Sequence, residues 1–362
     1  MSNPSQPRFL ELSRDELVRF LTDAGLPKFR ADQLRRAVFA RKTDRLDQMT
    51  DISKKDRARL AELFETCDGS LFSGTLAAKT GSSDKTEKIL VQWPDGHRVE
   101  AVLLRDDRNH KTACVSTQVG CMMGCAFCAS GLDGFVRNLT RGEIIEQLLR
   151  LNALLPANER LTHVVVMGTG EPTLNLGALI PALAEATAAD ALDIGNRRVT
   201  ISTVGIPDTI RKMAALDLPY KLAISLHAPD DATRNRIMPR NRTTGIAPIL
   251  AAADDYFRAS GRRVTFEYIL LAGINDSPEQ ARTLARLLDR KTAIVNIIPY
   301  NPVEELPFKR PADTVIGRFV QTLENEGIQV KVRFRKGNDI NAACGQLRRS
   351  QNKPPQAASS SE

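Results

Sequence analysis

The chain has 362 residues, 42% hydrophobic and 26% charged, which excludes a wholly disordered protein and allows a large core without disulfide staples. Lys and Arg outnumber Asp and Glu by 51 to 43, a net charge of +8 that favours a polyanionic partner, while aromatics at 5% argue against a base-stacking RNA module as the main element. No apolar run approaches the roughly 18 residues of a membrane helix, and residues 1–7 lack the basic and apolar regions of a signal peptide, so a cytoplasmic protein away from membranes is expected.

Residues 1–85 read as a helical, basic accessory domain. Ser13-x-x-Glu16 is a capping-box pattern, Leu17, Phe20 and Leu21 follow at helical spacing, and Ser53 can cap a further helix carrying Leu60, Leu63 and Phe64. Between Lys28 and Arg59 stand eleven Lys or Arg against five Asp, a local excess that suggests docking to RNA phosphates. Residues 86–106 read as a β-hairpin: 88–93 and 98–104 are strand-like runs around the turn signal Asp95-Gly96, and Glu100 lies in the second.

From 107 to 347 short β-rich runs alternate with helical stretches. Strands are expected at 112–116, 163–167, 198–202, 220–226, 264–271, 294–299 and 329–334. Helices are expected at 141–155, 176–186, 207–216, 246–259, 278–289 and 312–325, the first capped by Thr140. This alternation predicts a parallel α/β fold, an open sheet or a barrel that need not close. Residues 348–362 have the composition of a disordered tail.

Six cysteines in such a chain read as metal or redox groups rather than a disulfide framework. The strongest signal is Cys121-Met-Met-Gly-Cys125-Ala-Phe-Cys128. Three thiolates this close can hold three corners of an iron–sulfur cube and leave one iron open. Zinc is the alternative, as part of a non-catalytic RNA-binding protein, and it would need a fourth ligand such as His110, His163, Cys114 or Cys344. After the second expected strand comes Gly168-Thr-Gly-Glu-Pro172, where glycines allow close backbone approach and Glu171 can accept hydrogen bonds from an ammonium.

The cysteine loop, with its aromatic before the last Cys, and the Gly-Thr-Gly-Glu-Pro segment resemble the radical S-adenosylmethionine superfamily. Gln118-Val-Gly-Cys121, Phe135-x-Arg-Asn-Leu-Thr140, Ile201-Ser-Thr-Val-Gly205, Leu222-Ala-Ile-Ser-Leu-His-Ala228, Asn296-Ile-Ile-Pro-Tyr-Asn301 and Asn341-Ala-Ala-Cys-Gly-Gln346 follow in order. Together they are similar to the RlmN/Cfr family of radical S-adenosylmethionine RNA adenine methyltransferases, over residues 13–347. The resemblance implies a partial (β/α) barrel with an N-terminal helical domain, and methylation of adenine carbon 2 in 23S ribosomal RNA and in transfer RNA. The related carbon 8 reaction would use the same cysteines.

The family's roles carry over onto matching positions. Cys121, Cys125 and Cys128 would hold one [4Fe-4S] cluster. Gly170, Glu171, Ser202, Ser225, Leu226, His227 and Asn301 would contact S-adenosylmethionine, of which two molecules are used per turnover. Cys344 would accept the methyl group, Glu100 would accept a proton, and Cys114 would resolve the RNA adduct through a transient disulfide. Cys67 matches no role. An electron donor such as flavodoxin or ferredoxin, and a monomeric enzyme, are expected on the same ground. Two departures stand out: Thr169 replaces a common Met, and Ala37-Val-Phe39 replaces a Trp-containing stretch.

Overall fold

The computed structural model describes residues 6–288, 292–333, 337 and 340–347. The tail expected at 348–362 lies outside them, as do Asp289 and Phe334 at the ends of two expected elements. Three short helices come first: α1 (Arg14–Asp23), α2 (Phe29–Arg35) and α3 (Lys54–Leu63). Their expected caps are in place. The Ser13 hydroxyl accepts from the Glu16 N–H while the Glu16 carboxylate accepts from the Ser13 N–H, and Ser53 accepts from the Asp56 N–H. Leu17, Leu21, Leu34 and Leu60 are buried in the same core as the sheet that follows.

Most of the basic excess in this segment is spent on internal partners. Arg30 pairs with Asp56, Arg41 with Asp51 and Arg45 with Asp47. Arg35 reaches Glu185 at 2.5 Å and Asp190 at 3.1 Å. Lys42 donates to the carbonyls of Leu155, Pro156 and Glu159, while Arg57 and Arg59 donate to those of Asp47 and Ala24. Lys28, Arg36, Lys54 and Lys55 stay exposed, without an ion pair among the described residues.

The hairpin expected at 86–106 is half of a larger unit. β1 (Thr75–Gly81), β2 (Glu87–Gln92) and β3 (Arg98–Arg105) form an antiparallel meander. β1 escapes sequence reading because every residue of it is exposed and none alternates inward. The meander continues the main sheet, since β3 pairs antiparallel with β4 (Lys111–Cys114).

Two further strands, β5 (Gln118–Gly120) and β6 (Phe135–Asn138), pair as a small hairpin around the cysteine loop. The regular alternation then runs α4 (Arg141–Ala153), β7 (His163–Val166), α5 (Leu176–Thr187), β8 (Val199–Thr203), α6 (Pro207–Ala215), β9 (Lys221–Ser225), α7 (Asp231–Ile237), α8 (Ile246–Ser260), β10 (Val264–Leu270), α9 (Pro278–Leu287), β11 (Ala293–Pro299), α10 (Asp313–Asn325) and β12 (Gln329–Val332). α7, capped by Asp230, is one helix more than the sequence suggests.

The sheet order is β1-β2-β3-β4-β7-β8-β9-β10-β11-β12, and from β4 onward all neighbours are parallel. Chain order equals spatial order, as in a barrel. Among the described residues β12 makes no ladder back to β4, so the barrel is partial. Strand alternation divides the residues between its two faces. Val164, Ile201, Leu222, Phe266 and Val295 pack into the main core. Strand residues of the opposite parity, Cys114, Ser202, Ser225, Glu267 and Ile298, line the cavities on the other face.

Candidate active site

A cavity opens to solvent at the carboxyl ends of the parallel strands, enclosing about 850 Å³ with its open mouth included. Cys121, Cys125 and Cys128 form one wall, and Gly170, Glu171, Ser202, Ser225 and His227 line the others. The cysteine loop is fixed by backbone bonds at several points. Cys121 N–H donates to Gly134 O (3.1 Å), Ala126 N–H to Ile237 O (2.9 Å) and Ala129 N–H to Gly345 O (2.8 Å). Ser130 Oγ adds a bond to Leu347 O (2.8 Å), so this loop and the segment bearing Cys344 are held together.

Burial pushes the Cys121 thiol up to about 12, and it raises Cys125 and Cys128 too, with the neighbouring thiols adding to the effect at Cys125. Cations bound here would take the place of those protons. Three thiols lining one cavity are the donor set for three corners of an iron–sulfur cube. Zinc loses its histidine ligands: His110 and His163 pack edge to face at 4.4 Å beside the first residues of β4 and β7, the opposite strand ends from the cysteines.

The Gly-Thr-Gly-Glu-Pro turn is built by close approach. A Cβ on Gly168 would meet the Val115 carbonyl at 2.7 Å, and one on Gly170, at φ +112°, would stand 2.9 Å from the Gln118 backbone nitrogen. Glu171 is buried, and burial raises its pKa. Its carboxylate accepts from the Thr173 N–H (3.1 Å), the Thr173 hydroxyl (2.6 Å) and the Val204 N–H (2.9 Å). The Thr203 hydroxyl also reaches this carboxylate, so a cationic ligand would share its oxygens with neutral donors.

His227 adopts φ +60° and packs edge-on against Phe127 at 5.0 Å. Burial and the nearby Arg234 lower its pKa to about 3, and its Nδ1 accepts from the Ile269 N–H at 3.0 Å. The ring is therefore neutral, with the proton on Nε2. Leu226 does not line either cavity. Its side chain lies in the main core, and its carbonyl accepts from Arg234 Nε at 2.9 Å.

A second cavity, of about 700 Å³, adjoins the first through shared Met167, Ile298, Arg333 and Cys344. Cys114 and Asn301 line it. Asn301 Nδ2 donates to Cys344 O at 3.4 Å, while its buried Oδ1 has no protein partner among the described residues. Burial raises Cys114 to about 12, helped by nearby Cys344. Glu100 is buried but lines neither cavity. It pairs with Lys88 Nζ at 2.8 Å, and Lys88 also donates to Asn341 O at 3.2 Å, in the Cys344 segment. All six cysteines are free, so the disulfide expected between Cys114 and Cys344 is not formed in this state.

Two charged residues of the site were not anticipated. Arg333 Nη1 stands 3.5 Å from Cys344 Sγ, 3.6 Å from Met167 Sδ and 3.9 Å from Glu267 Oε2. Glu267 is buried on β10 and accepts from Asn296 Nδ2 at 2.8 Å. A lone acid inside the strand run Val-Thr-Phe-Glu-Tyr-Ile-Leu was the available signal, because a buried charge needs a partner.

Residues 115–285 match the model of the radical SAM superfamily, and residues 8–66 match that of the ribosomal RNA large subunit methyltransferase N-terminal domain. A probable dual-specificity RNA methyltransferase RlmN of Rhodopirellula baltica is 52% identical over 348 residues, 96% of this chain and 92% of the relative. Its namesake from Thermotoga maritima is 44% identical over 94% of this chain and 96% of the relative. The chain belongs to this RlmN family. The crystal structure of a radical SAM methyltransferase from Sphaerobacter thermophilus superposes with a TM-score of 0.90 at 39% identity, covering 94% of this chain and 99% of that one. The protein is thus a radical S-adenosylmethionine RNA methyltransferase, and an iron–sulfur cluster and S-adenosylmethionine follow from the superfamily. Among the described residues no helix is long and apolar enough to cross a membrane.

Proposed function

We propose that the enzyme methylates carbon 2 of adenine in 23S ribosomal RNA and in transfer RNA, through a methyl group carried on Cys344. The observation that supports this most is the sharing of one cavity wall by Cys344 and Arg333, with Cys114 in the adjoining cavity. Carbon 2 of adenine is electrophilic and has no lone pair, so polar methyl transfer cannot reach it. Bound to Cys121, Cys125 and Cys128, a [4Fe-4S] cluster would supply the electron that cleaves one S-adenosylmethionine to a carbon radical.

The protein's own residues do the rest. Cys344 sulfur takes a methyl group from another S-adenosylmethionine by displacement, so two are used per turnover. With a hydrogen atom removed by the carbon radical, that carbon adds to the adenine and joins enzyme to RNA through a thioether, and the adduct's unpaired electron would return to the cluster as the carbon 2 proton is lost. Glu100 receives the carbon 2 proton. The Cys114 thiolate then attacks the sulfur of Cys344, breaking its bond to the methylene carbon, which takes up a proton and leaves as the methyl group of the RNA; the disulfide that forms is reduced by cellular thiols. Gly170, Glu171, Ser202, Ser225 and His227 would seat S-adenosylmethionine in the larger cavity. Leu226 would touch it only through its backbone, and Asn301 from the adjoining side.

The remaining assignments are a monomer working in the cytoplasm, with a flavodoxin or ferredoxin as electron donor. The exposed Lys28, Arg36, Lys54 and Lys55 support RNA docking by the helical segment at 1–85. The test is nucleoside mass spectrometry of ribosomal and transfer RNA from cells with and without the protein. Loss of 2-methyladenosine from both pools is expected; loss of 8-methyladenosine, or of neither, overturns the assignment.

A further inference from the structure

The N-terminal segment commits most of its cations internally, but another part of the surface does not. α7 and the short 3-10 turn Pro239–Thr243 pack against the cysteine loop and the carboxyl ends of β8 and β9, next to the cavity though not lining it, pinned there by buried Arg234. Its guanidinium donates to the carbonyls of Leu226 (2.9 Å), Val204 (2.6 Å) and Ser225 (3.0 Å), at the ends of β8 and β9, and to Asn241 Oδ1 (2.5 Å). The Ile237 carbonyl accepts from Ala126 inside the cysteine loop, and Ile237 and Met238 pack with Phe127 and Tyr300. The element is therefore rigid, and it is fixed beside the wall where the chemistry is set.

Three arginines project from this anchor. Arg236, Arg240 and Arg242 are exposed, and none makes an ion pair among the described residues. The acids of the same stretch, half-buried Asp230 and exposed Asp231, are engaged in local hydrogen bonds and not with these arginines. Asp230 accepts from the Thr233 N–H and hydroxyl, and Asp231 accepts from Asn241 Nδ2 and the Ile246 N–H. Lys309, also exposed, lies on the β11–α10 connection, whose Phe308 packs into the same apolar cluster. Inside the cavity the cation Arg333 is already engaged with Glu267 and Cys344, leaving it ill placed to meet a phosphate.

We propose that Arg236, Arg240 and Arg242 form a phosphate-gripping rim for the RNA substrate. A base that enters the cavity must leave its stack, and the flanking phosphates then have to be held outside the mouth. Unpaired guanidinium groups on a rigid edge do this without reading sequence, which suits an enzyme that accepts unrelated RNAs. The inference rests on the RNA methyltransferase class and not on the roles given to Cys344 or Cys114.

The test uses the cluster-loaded enzyme and a fluorescent RNA hairpin with an adenine in its single-stranded loop, titrated over a series of salt concentrations. Each phosphate contact contributes roughly 0.7–0.9 to the slope of log affinity against log salt. Arg236→Gln/Arg240→Gln/Arg242→Gln should flatten that slope by about two to three. Reductive cleavage of S-adenosylmethionine by dithionite should be unchanged. An unchanged slope overturns the rim. If affinity is kept while turnover falls with a flavoprotein donor and recovers with dithionite, the rim is the donor's docking surface and the proposal is equally overturned. Failure of the unaltered enzyme to bind the hairpin would instead count against the RNA reading itself.

Discussion

Arg333 Nη1 lies 3.5 Å from Cys344 Sγ, and nearby Cys344 and Glu267 hold the guanidinium above its ordinary pKa despite its burial. A sulfur that displaces a methyl group acts as the thiolate, so a fixed cation beside it serves the displacement directly. A charge-assisted hydrogen bond is worth about 1.5–3 kcal/mol. Arg333→Met should therefore slow appearance of S-methylated Cys344 roughly 10- to 100-fold, read by peptide mass spectrometry. Arg333→Lys should recover part of the rate, and iron content should stay constant in both. Normal methylation in Arg333→Met would leave the arginine a packing role only.

The cysteine loop gives a direct metal test. Anaerobically purified protein should be brown, with about four irons and four sulfides per chain. Cys125→Ala should lose the cluster and all reductive cleavage of S-adenosylmethionine. A colourless, zinc-loaded and fully active preparation contradicts this reading of the loop.

Lys88 and Glu100 make a buried pair, and the same ammonium holds the Asn341 carbonyl. Removing one member of such a pair costs more than the pair is worth, because the other charge stays desolvated. Lys88→Met should lower stability by about 3 kcal/mol and expose the 340–347 segment to protease. Adding Glu100→Leu should restore most of the stability without restoring methylation. If the single variant is as stable and protease-resistant as the parent, Lys88 does not anchor that segment.

His227 carries a pH signature. Its folded pKa of about 3 lies below the ordinary histidine value, so at intermediate pH the unfolded chain binds a proton that the folded chain excludes. Its contribution is full above about pH 6.5 and is lost as pH falls toward 3. Denaturation midpoints should drop between pH 6 and 4, and His227→Gln should flatten this dependence by up to one proton. An identical pH slope in the variant would show that the imidazole is protonated in the fold.

Much of this architecture is legible in the chain. Strand positions follow from apolar runs between helical stretches, and Ser13, Ser53 and Thr140 announce helix starts through their own hydrogen bonds. The cysteine wall is legible because its three residues are local in sequence. β1 is not, since an exposed edge strand needs no alternation. Nor is the neutralisation of the basic segment: Arg35 finds Glu185 and Asp190 some 150 residues away, and only the fold brings them together. Arg333 and Glu267 are hidden for the same reason, because their partnership crosses strands that are remote in sequence.

The roles of Cys344 and Cys114 separate in one experiment. Cys344 lines both cavities and Cys114 only the smaller, while the cluster wall is made by other residues, so substitution of either should leave iron content intact. Cys344→Ala has no sulfur to carry the methyl group and should give neither methylated RNA nor adduct. Cys114→Ala can still be methylated on Cys344 and still form the bond to adenine. It lacks the thiolate that attacks the linked sulfur and frees the carbon, so the reaction should halt one step later. Burial holds the Cys114 thiol at about 12, so its attack requires deprotonation when the adduct forms, which makes this step sensitive to substitution. The expected product is protein covalently attached to RNA, seen as a nuclease-sensitive shift on a denaturing gel, with the link at Cys344 by mass spectrometry. Normal turnover by Cys114→Ala, or the same adduct from Cys344→Ala, would mean that the methyl group reaches adenine without passing through these two sulfurs.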